Sequence, residues 1–318
     1  MKEAKQMNPN DPYSNDEIDL KEFLQVLWQG RKLIILITAI FAISSLAYSL
    51  LLTNYYRSES LIVARNNTQN QSSLSQYSGM ASLVGIKIPS SGNNKVMEAM
   101  EIIQSRNFIK HLLTFENILP SIMASKSYDA SSKELLFDKK IYDSATNTWK
   151  RKPKNGQKKP SYLEAHKVYL GNISISLDEM SGFISMSIEH ISPVFAKEFL
   201  ELIIREANIL IRKKDLEESN QAIRYLKAEL SKTSLVEIKE SINALIEAQL
   251  ETQMLAQINE DYILVVIDPP FIAEEKSRPK RSLICLLGTI LGGILSIFIV
   301  VIQHYYFSGK KIGNHVSI

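Results

Sequence analysis

Two uncharged runs constrain this chain more than any other feature. "LIILITAIFAISSLAYSLLL" covers Leu33 to Leu52, and "LICLLGTILGGILSIFIVVI" covers Leu283 to Ile302. As a helix, a 20-residue run extends about 30 Å, the thickness of a bilayer's hydrocarbon core. Core helices of soluble proteins usually keep a polar face, and neither run has one. Both are therefore expected to span a membrane, residues 33–52 first and residues 283–302 second. The first run is not expected to be a removed signal peptide. Its apolar part exceeds the usual length of about 7 to 15 residues, and a polar tail, residues 1–32, precedes it.

The long segment between them, residues 53–282, has room for one large domain. Its surroundings leave orientation open: Lys21, Arg31, Lys32, Lys310 and Lys311 flank the outer ends, while Arg57, Arg65, Lys276, Arg278, Lys280 and Arg281 flank the inner ones. The positive-inside rule is also weak for long loops. With 37 basic and 34 acidic side chains, the chain lacks the strongly basic footprint of a nucleic-acid binder. The single cysteine, Cys285, lies inside the second run, so no internal disulfide can form.

Within the segment, "YRSESLIVA" (Tyr56 to Ala64) alternates as a strand does. Asn66 to Asn94, rich in Asn, Gln, Ser and Gly, predicts a long loop, with disorder or binding both open. Asn94 to Leu113 has helical spacing, with Val96, Met100, Ile103 and Phe108 on one side. "WKRKPKNGQKKP" (Trp149 to Pro160) holds six basic residues and no acid. It suits contact with phosphates or anionic sugars, or a plain solvated loop. In "NISISLDEMSGFISMSI", Ile173, Ile175 and Leu177, then Ile184, Met186 and Ile188, alternate around a turn ending in Gly182. That pattern predicts an antiparallel hairpin with one buried face.

Ser192 and Pro193 have the N-cap and first-turn chemistry of a helix start. A helix over about 193–231 and a second over about 235–258 are expected, the break marked by the capping-box spacing of Ser234 and Glu237. Ile238, Ile242, Ile246, Leu250, Met254 and Ile258 recur every four residues, a ridge suited to helix packing. "YILVVI" (Tyr262 to Ile267) is apolar throughout, as in a strand buried on both faces. The expected fold class is α+β: two transmembrane helices flanking a domain with a small mixed or antiparallel sheet near the membrane and a long helical hairpin extending from it.

At this point the sequence resembles the polysaccharide co-polymerases, and within them the Wzz-type O-antigen chain-length determinants. "DEIDLKEFLQVLWQGRKLIILI" (Asp16 to Ile37) is similar to that family's approach to its first span. Lys158 to Phe199 resembles its central region, and Pro269, Pro270, Pro279 and Lys280 ahead of Gly288 and Gly292 resemble its proline-rich segment and small-residue span. The proline segment is sparser than the family's fullest pattern, with "EEKSR" between its clusters. The resemblance implies both termini in the cytoplasm, the domain in the periplasm, and a bell-like homo-oligomer in the inner membrane.

Independently, Gly288, Gly292 and Ser296 lie four apart and leave one side of the second span free for close approach of a helix. Pro269, Pro270 and Pro279 are expected to stiffen the link to that span. Lys280 and Arg281 are placed to meet lipid phosphates.

Catalytic, cofactor-binding and metal motifs are absent from the sequence. Gly309, Lys310 and Lys311 lack the G-x-x-x-x-G-K-[ST] spacing of a phosphate loop. His111, His166, His190, His304 and His315 are scattered without ligand spacing and are expected at the surface. The resemblance implies a non-catalytic regulator that works with a separate O-antigen polymerase on undecaprenyl-pyrophosphate-linked glycan, in contact with membrane lipids. The competing readings are an adaptor for a cytoplasmic tyrosine kinase in capsule or exopolysaccharide export, and a membrane sensor. A sensor is disfavoured because the tail over residues 303–318 is expected to be too short for a signalling module.

Overall fold

The computed structural model describes residues 20–65, 92–154, 156–259 and 261–313. Most of the expected loop over 66–94 lies outside the described residues, as does His315; residues 92–94 begin a helix. The chain divides into two compact units. One consists of helices α1 (Leu20–Gln29), α2 (Arg31–Leu51) and α9 (Arg281–Gly313). The other, Thr53–Arg278, is a mixed α/β unit.

The α/β unit is organised by strand β1 (Tyr55–Ala64), which is flanked on one side by β7 (Phe183–His190) and on the other by β8 (Leu264–Asp268). β6 (Ile173–Leu177) pairs with β7, and β9 (Lys276–Arg278) pairs with the start of β1. All these pairings are antiparallel. The β6–β7 hairpin turns through Gly182 at φ 74°, a conformation glycine adopts without a Cβ clash. Asp178 holds that turn by accepting from the Met180 N–H and the Ser181 hydroxyl, which keeps its carboxyl below the ordinary carboxylate range. Ile184, Met186 and Ile188 are buried as the alternation predicts, whereas Ser187 on the other face is buried too, bonded by Arg57 at 2.8 Å.

Three short helices, α3 (Gly92–Gln104), α4 (Arg106–Leu112) and α5 (Ile118–Ala124), follow β1. The single helix read over 94–113 is thus two. Ser105 breaks it by taking an extended backbone and capping α4 through the Phe108 N–H at 3.1 Å. Two short hairpins come next, β2 (Ser125–Asp129) with β3 (Glu134–Phe137) and β4 (Tyr142–Asp143) with β5 (Thr148–Trp149). Helix α6 (Tyr162–Asn172) leads into β6.

Helix α7 (Pro193–Lys232) begins at Ser192, whose hydroxyl accepts from the Phe195 N–H. Its first half lies on the sheet, where Phe199, Leu200, Ile203 and Ala207 meet Ile62, Ile184 and Met186 in the main core. Its second half packs against α8 (Val236–Ile258), with Leu226, Ile242 and Leu245 forming a separate small core.

Two sequence readings are corrected here and one is refined. The capping box at Ser234 and Glu237 does not form. The reversal uses extended residues up to Leu235, which takes the N-cap position and leaves Ser234 one residue too early. The four-residue ridge packs on a helix of the same chain over only part of its length. A step of four advances a helix by about 40° beyond a full turn, so five steps drift about 200°. Ile242 is buried and Ile246 packs beside it, but Leu250, Met254 and Ile258 are 45%, 59% and 72% exposed. Finally, β8 is an edge strand, buried at Leu264 and exposed at Ile267, so it is not covered on both faces.

Candidate functional site: the paired apolar helices and the proline return

Helices α2 and α9 are each long and apolar enough to cross a membrane. Their outer faces expose Leu36, Ile40, Ile43, Leu287, Ile294 and Phe298. The contact between them is made by small residues. A Cβ on Gly288 would lie 2.5 Å from the Ser45 Cβ, and one on Gly292 would lie 2.5 Å from the Phe41 Cβ. The partners step by four in opposite directions, which is the register of two antiparallel helices. Ser296 continues the row fully buried, its hydroxyl turned back to the Gly293 carbonyl at 2.7 Å.

Sequence reading placed the small residues but missed their counterparts. Ser45 and Ser49 form a small row on α2 with the same four-residue spacing, and both spacing and size were visible. Gly30 was also missed: a side chain there would run into Val300. Its signal was a glycine set just ahead of the basic pair Arg31 and Lys32 that leads into the apolar run.

Pro269 and Pro270 follow β8 directly, with Pro269 exposed and Pro270 buried. Proline has no N–H for the ladder, so the returning strand breaks here and resumes as β9. The gap is bridged from β1. Ser60 donates its hydroxyl to the Asp268 carbonyl at 2.7 Å, and Ser58 donates to the Phe271 carbonyl at 2.8 Å. Both serines are buried on the core face of β1, in line with Ile62. These two residues were not singled out in the sequence. Their signal was serine at the inward positions of an otherwise apolar alternation. Next to them, Arg278 pairs with Glu189 and lies over the Tyr55 ring at 5.1 Å from its centroid.

Pro279 and exposed Lys280 precede α9, and the Lys280 carbonyl accepts from the N–H groups of Leu283 and Ile284. The structure therefore brings Pro269 and Pro270 together beside β1. It sets Gly288 and Gly292 against α2, with Ser296 buried one turn farther along α9.

The basic stretch over Trp149 to Pro160 is partly committed. Arg151 makes a two-pronged contact with Glu164 at 2.5 and 3.2 Å and donates to the Lys158 carbonyl at 2.5 Å. The hydrogen-bonded guanidinium holds the Glu164 carboxyl below its ordinary range and raises Arg151 in turn. Lys150 reaches Asp143 at 2.6 Å, and that hydrogen bond lowers the Asp143 carboxyl. Lys152, Lys154, Lys158 and Lys159 remain exposed.

His190 departs from the surface expectation. It ends β7 at an inward position, 6% exposed, with its ring 4.4 Å from that of Phe195. Nδ1 accepts from the Ser192 N–H at 3.1 Å, so Nε2 carries the hydrogen and donates to the Ser121 carbonyl at 2.9 Å. Burial pushes its pKa down, because the charged ring would lose its hydration. His111 lies 2.8 Å from Glu206, and His166 reaches the Gln104 carbonyl at 2.8 Å. Among the described residues, no group of three or more His, Cys, Asp or Glu is placed to hold a metal ion.

The sequence pattern of Wzz, described as chain length determinant protein, matches residues 16–114. The chain is 35% identical over 106 residues to tyrosine-protein kinase Etk of Escherichia coli strain K12, covering 32% of this chain and 13% of the kinase. The same figures hold for Etk of strain O157:H7. The chain thus matches only a small part of those kinases' length. Among solved structures, a full-length bacterial polysaccharide co-polymerase aligns with 92% of this chain and 99% of its own at 13% identity, with a TM-score of 0.38. A fragment of WzzB, a polysaccharide co-polymerase from Salmonella Typhimurium, aligns with 71% and 100% at 13% identity and a TM-score of 0.29. Residues 16–114, which run from the approach to α2 as far as the end of α4, are thus similar to the Wzz chain-length-determinant family.

Proposed function

We propose that this chain is a non-catalytic regulator of O-antigen chain length in lipopolysaccharide biosynthesis. The observation that carries the reading is the chain-length-determinant pattern over residues 16–114. In it, α2 and α9 cross the bacterial inner membrane. Residues 53–282 stand in the periplasm with the α7–α8 hairpin directed away from the bilayer, and residues 1–32 and 303–318 lie in the cytoplasm.

Copies assemble into a homo-oligomer beside a separate O-antigen polymerase that extends undecaprenyl-pyrophosphate-linked glycan. Gly288, Gly292 and Ser296 hold the two spans together, and Pro269, Pro270 and Pro279 stiffen the return to the second. Lys280 and Arg281 meet lipid phosphates at the membrane surface. The regulator breaks no bond itself. It acts by holding polymerase and growing chain together for a limited number of additions before ligation.

The match to Etk favours a second reading, an adaptor for a cytoplasmic tyrosine kinase in capsule or exopolysaccharide export. Deleting the gene in the native bacterium separates the two. Loss of the modal band length in the lipopolysaccharide ladder supports the regulator. An unchanged ladder with loss of capsule or exopolysaccharide supports the adaptor.

A further inference from the structure

The two long helices turn chemically opposite faces outward. Their contact side is fixed by Leu226 on α7 and by Ile242 and Leu245 on α8. Away from it, α7 exposes Lys213 and Arg224, with Lys227 at the margin of that side and Glu217 the acid among them. The corresponding side of α8 carries Glu240 and Glu247 with exposed Leu250, Met254 and Ile258, and Lys239 at its margin. Among the described residues, Lys213, Arg224, Lys227, Glu240 and Glu247 have no ion-pair partner within the chain.

One face is thus basic and the other acidic and apolar, and they point away from each other across the hairpin. Two-fold contact through either face would set like charge against like. Head-to-tail contact sets opposite charges together and repeats from copy to copy, as in a ring. Levels along the helices agree with this. Counted from Ser234, Lys227 and Glu240 lie about 10 and 9 Å along their helices, and Arg224 and Glu247 about 15 and 20 Å. Copies anchored in one lipid sheet stand at one height. That brings Lys227 opposite Glu240, and Arg224 within side-chain reach of Glu247.

We propose that the acidic, apolar face of α8 docks on the basic face of α7 in a second copy of this chain, head to tail. The inference rests on the homo-oligomeric reading above and assigns its interface. Leu250, Met254 and Ile258 are the apolar centre that contact covers, and the charge pairs set its register and direction.

The test uses the full chain in native membranes with Cys285→Ser. Lys227→Cys and Glu240→Cys introduced together are expected to give an oxidative ladder of dimers, trimers and higher species on a non-reducing gel, and each alone none. Separately, R224E with K227E is expected to lower the oligomer fraction of detergent-solubilised protein about tenfold, and adding E240K with E247K to restore it. Rescue by the double reversal excludes a folding failure. Intact oligomers with no ladder and no response to charge reversal overturn this interface and leave the chain-length reading standing. A monomeric chain overturns both the interface and the assembly. A ladder with an O-antigen length distribution indifferent to charge reversal supports the interface and contradicts the chain-length reading.

Discussion

Gly292 lies so close to Phe41 that a Cβ on the glycine would stand 2.5 Å from the phenylalanine Cβ and 2.9 Å from its Cγ. A side chain there must push α9 off α2. Gly292→Leu is expected to cost about 1 to 3 kcal/mol through overpacking. It should lower the melting temperature of the detergent-solubilised chain and, on the proposed chain-length reading, broaden the O-antigen length distribution. Gly293→Leu is the control, because a Cβ at Gly293 meets nothing within 4 Å. Equal effects of the two substitutions would contradict the packing role of Gly292.

Asn208 serves as a substitute strand at the sheet edge. Its Oδ1 accepts from the N–H groups of Ile263 and Leu264 at 3.0 and 2.9 Å, and its Nδ2 donates to the Leu264 carbonyl at 2.9 Å. Asn208→Ala leaves buried backbone groups without partners, at a cost of about 1 to 3 kcal/mol. Hydrogen exchange is expected to speed up at Ile263 and Leu264 first. Protection that survives the substitution would show that the edge is held by its apolar contacts instead.

Buried neutral His190 makes stability depend on pH. Its folded pKa lies below the ordinary histidine value of 6.5. Above that value the ring is neutral folded or unfolded and contributes no pH dependence. As pH falls below it, the unfolded chain takes up a proton that the folded chain refuses, so stability declines until the folded pKa is reached. The melting temperature of the full chain should therefore fall as pH drops below about 6.5. The His190→Gln variant should show a shallower fall over that window. Identical slopes would assign the dependence to other groups.

Arg151 and Glu164 pin the basic stretch to the start of α6. Glu164 has a lowered folded pKa, so this support is fully present above its ordinary value of 4.5 and is lost as pH drops through the folded one. Glu164→Gln should mimic the acid form at neutral pH. Of the exposed Lys152, Lys154, Lys158 and Lys159, only Lys154 and Lys158 are not followed by proline, and trypsin cleavage after these two is expected to accelerate several-fold in that variant. An unchanged cleavage rate would show that the Lys158 carbonyl contact alone orders the stretch.

What could be read in the sequence was what neighbouring residues decide. The β6–β7 hairpin follows from alternation around Gly182, and the start of α7 from Ser192 and Pro193, because each needs only its own few residues. Gly288 and Gly292 were legible as a small-residue row for the same reason. Phe41 and Ser45 as their partners were not, since the pairing depends on the register of a helix far away in the chain. Ser58 and Ser60 read as ordinary polar positions of a strand. Their carbonyl partners lie 213 and 208 residues away, where the prolines interrupt the ladder. The drift of the α8 ridge was calculable from helix geometry, and its exposed half lies in the face assigned to a second copy. His190 was misplaced because its burial depends on Ser121 and Phe195, which no local pattern joins to it.

The most direct measurement is densitometry of the lipopolysaccharide ladder in a deletion strain, with and without the full chain supplied from a plasmid and with the polymerase left intact. Control of O-antigen length predicts a ladder that decays smoothly in the deletion strain and regains a defined modal length when the chain is restored. A ladder with the same mode in both strains would contradict it.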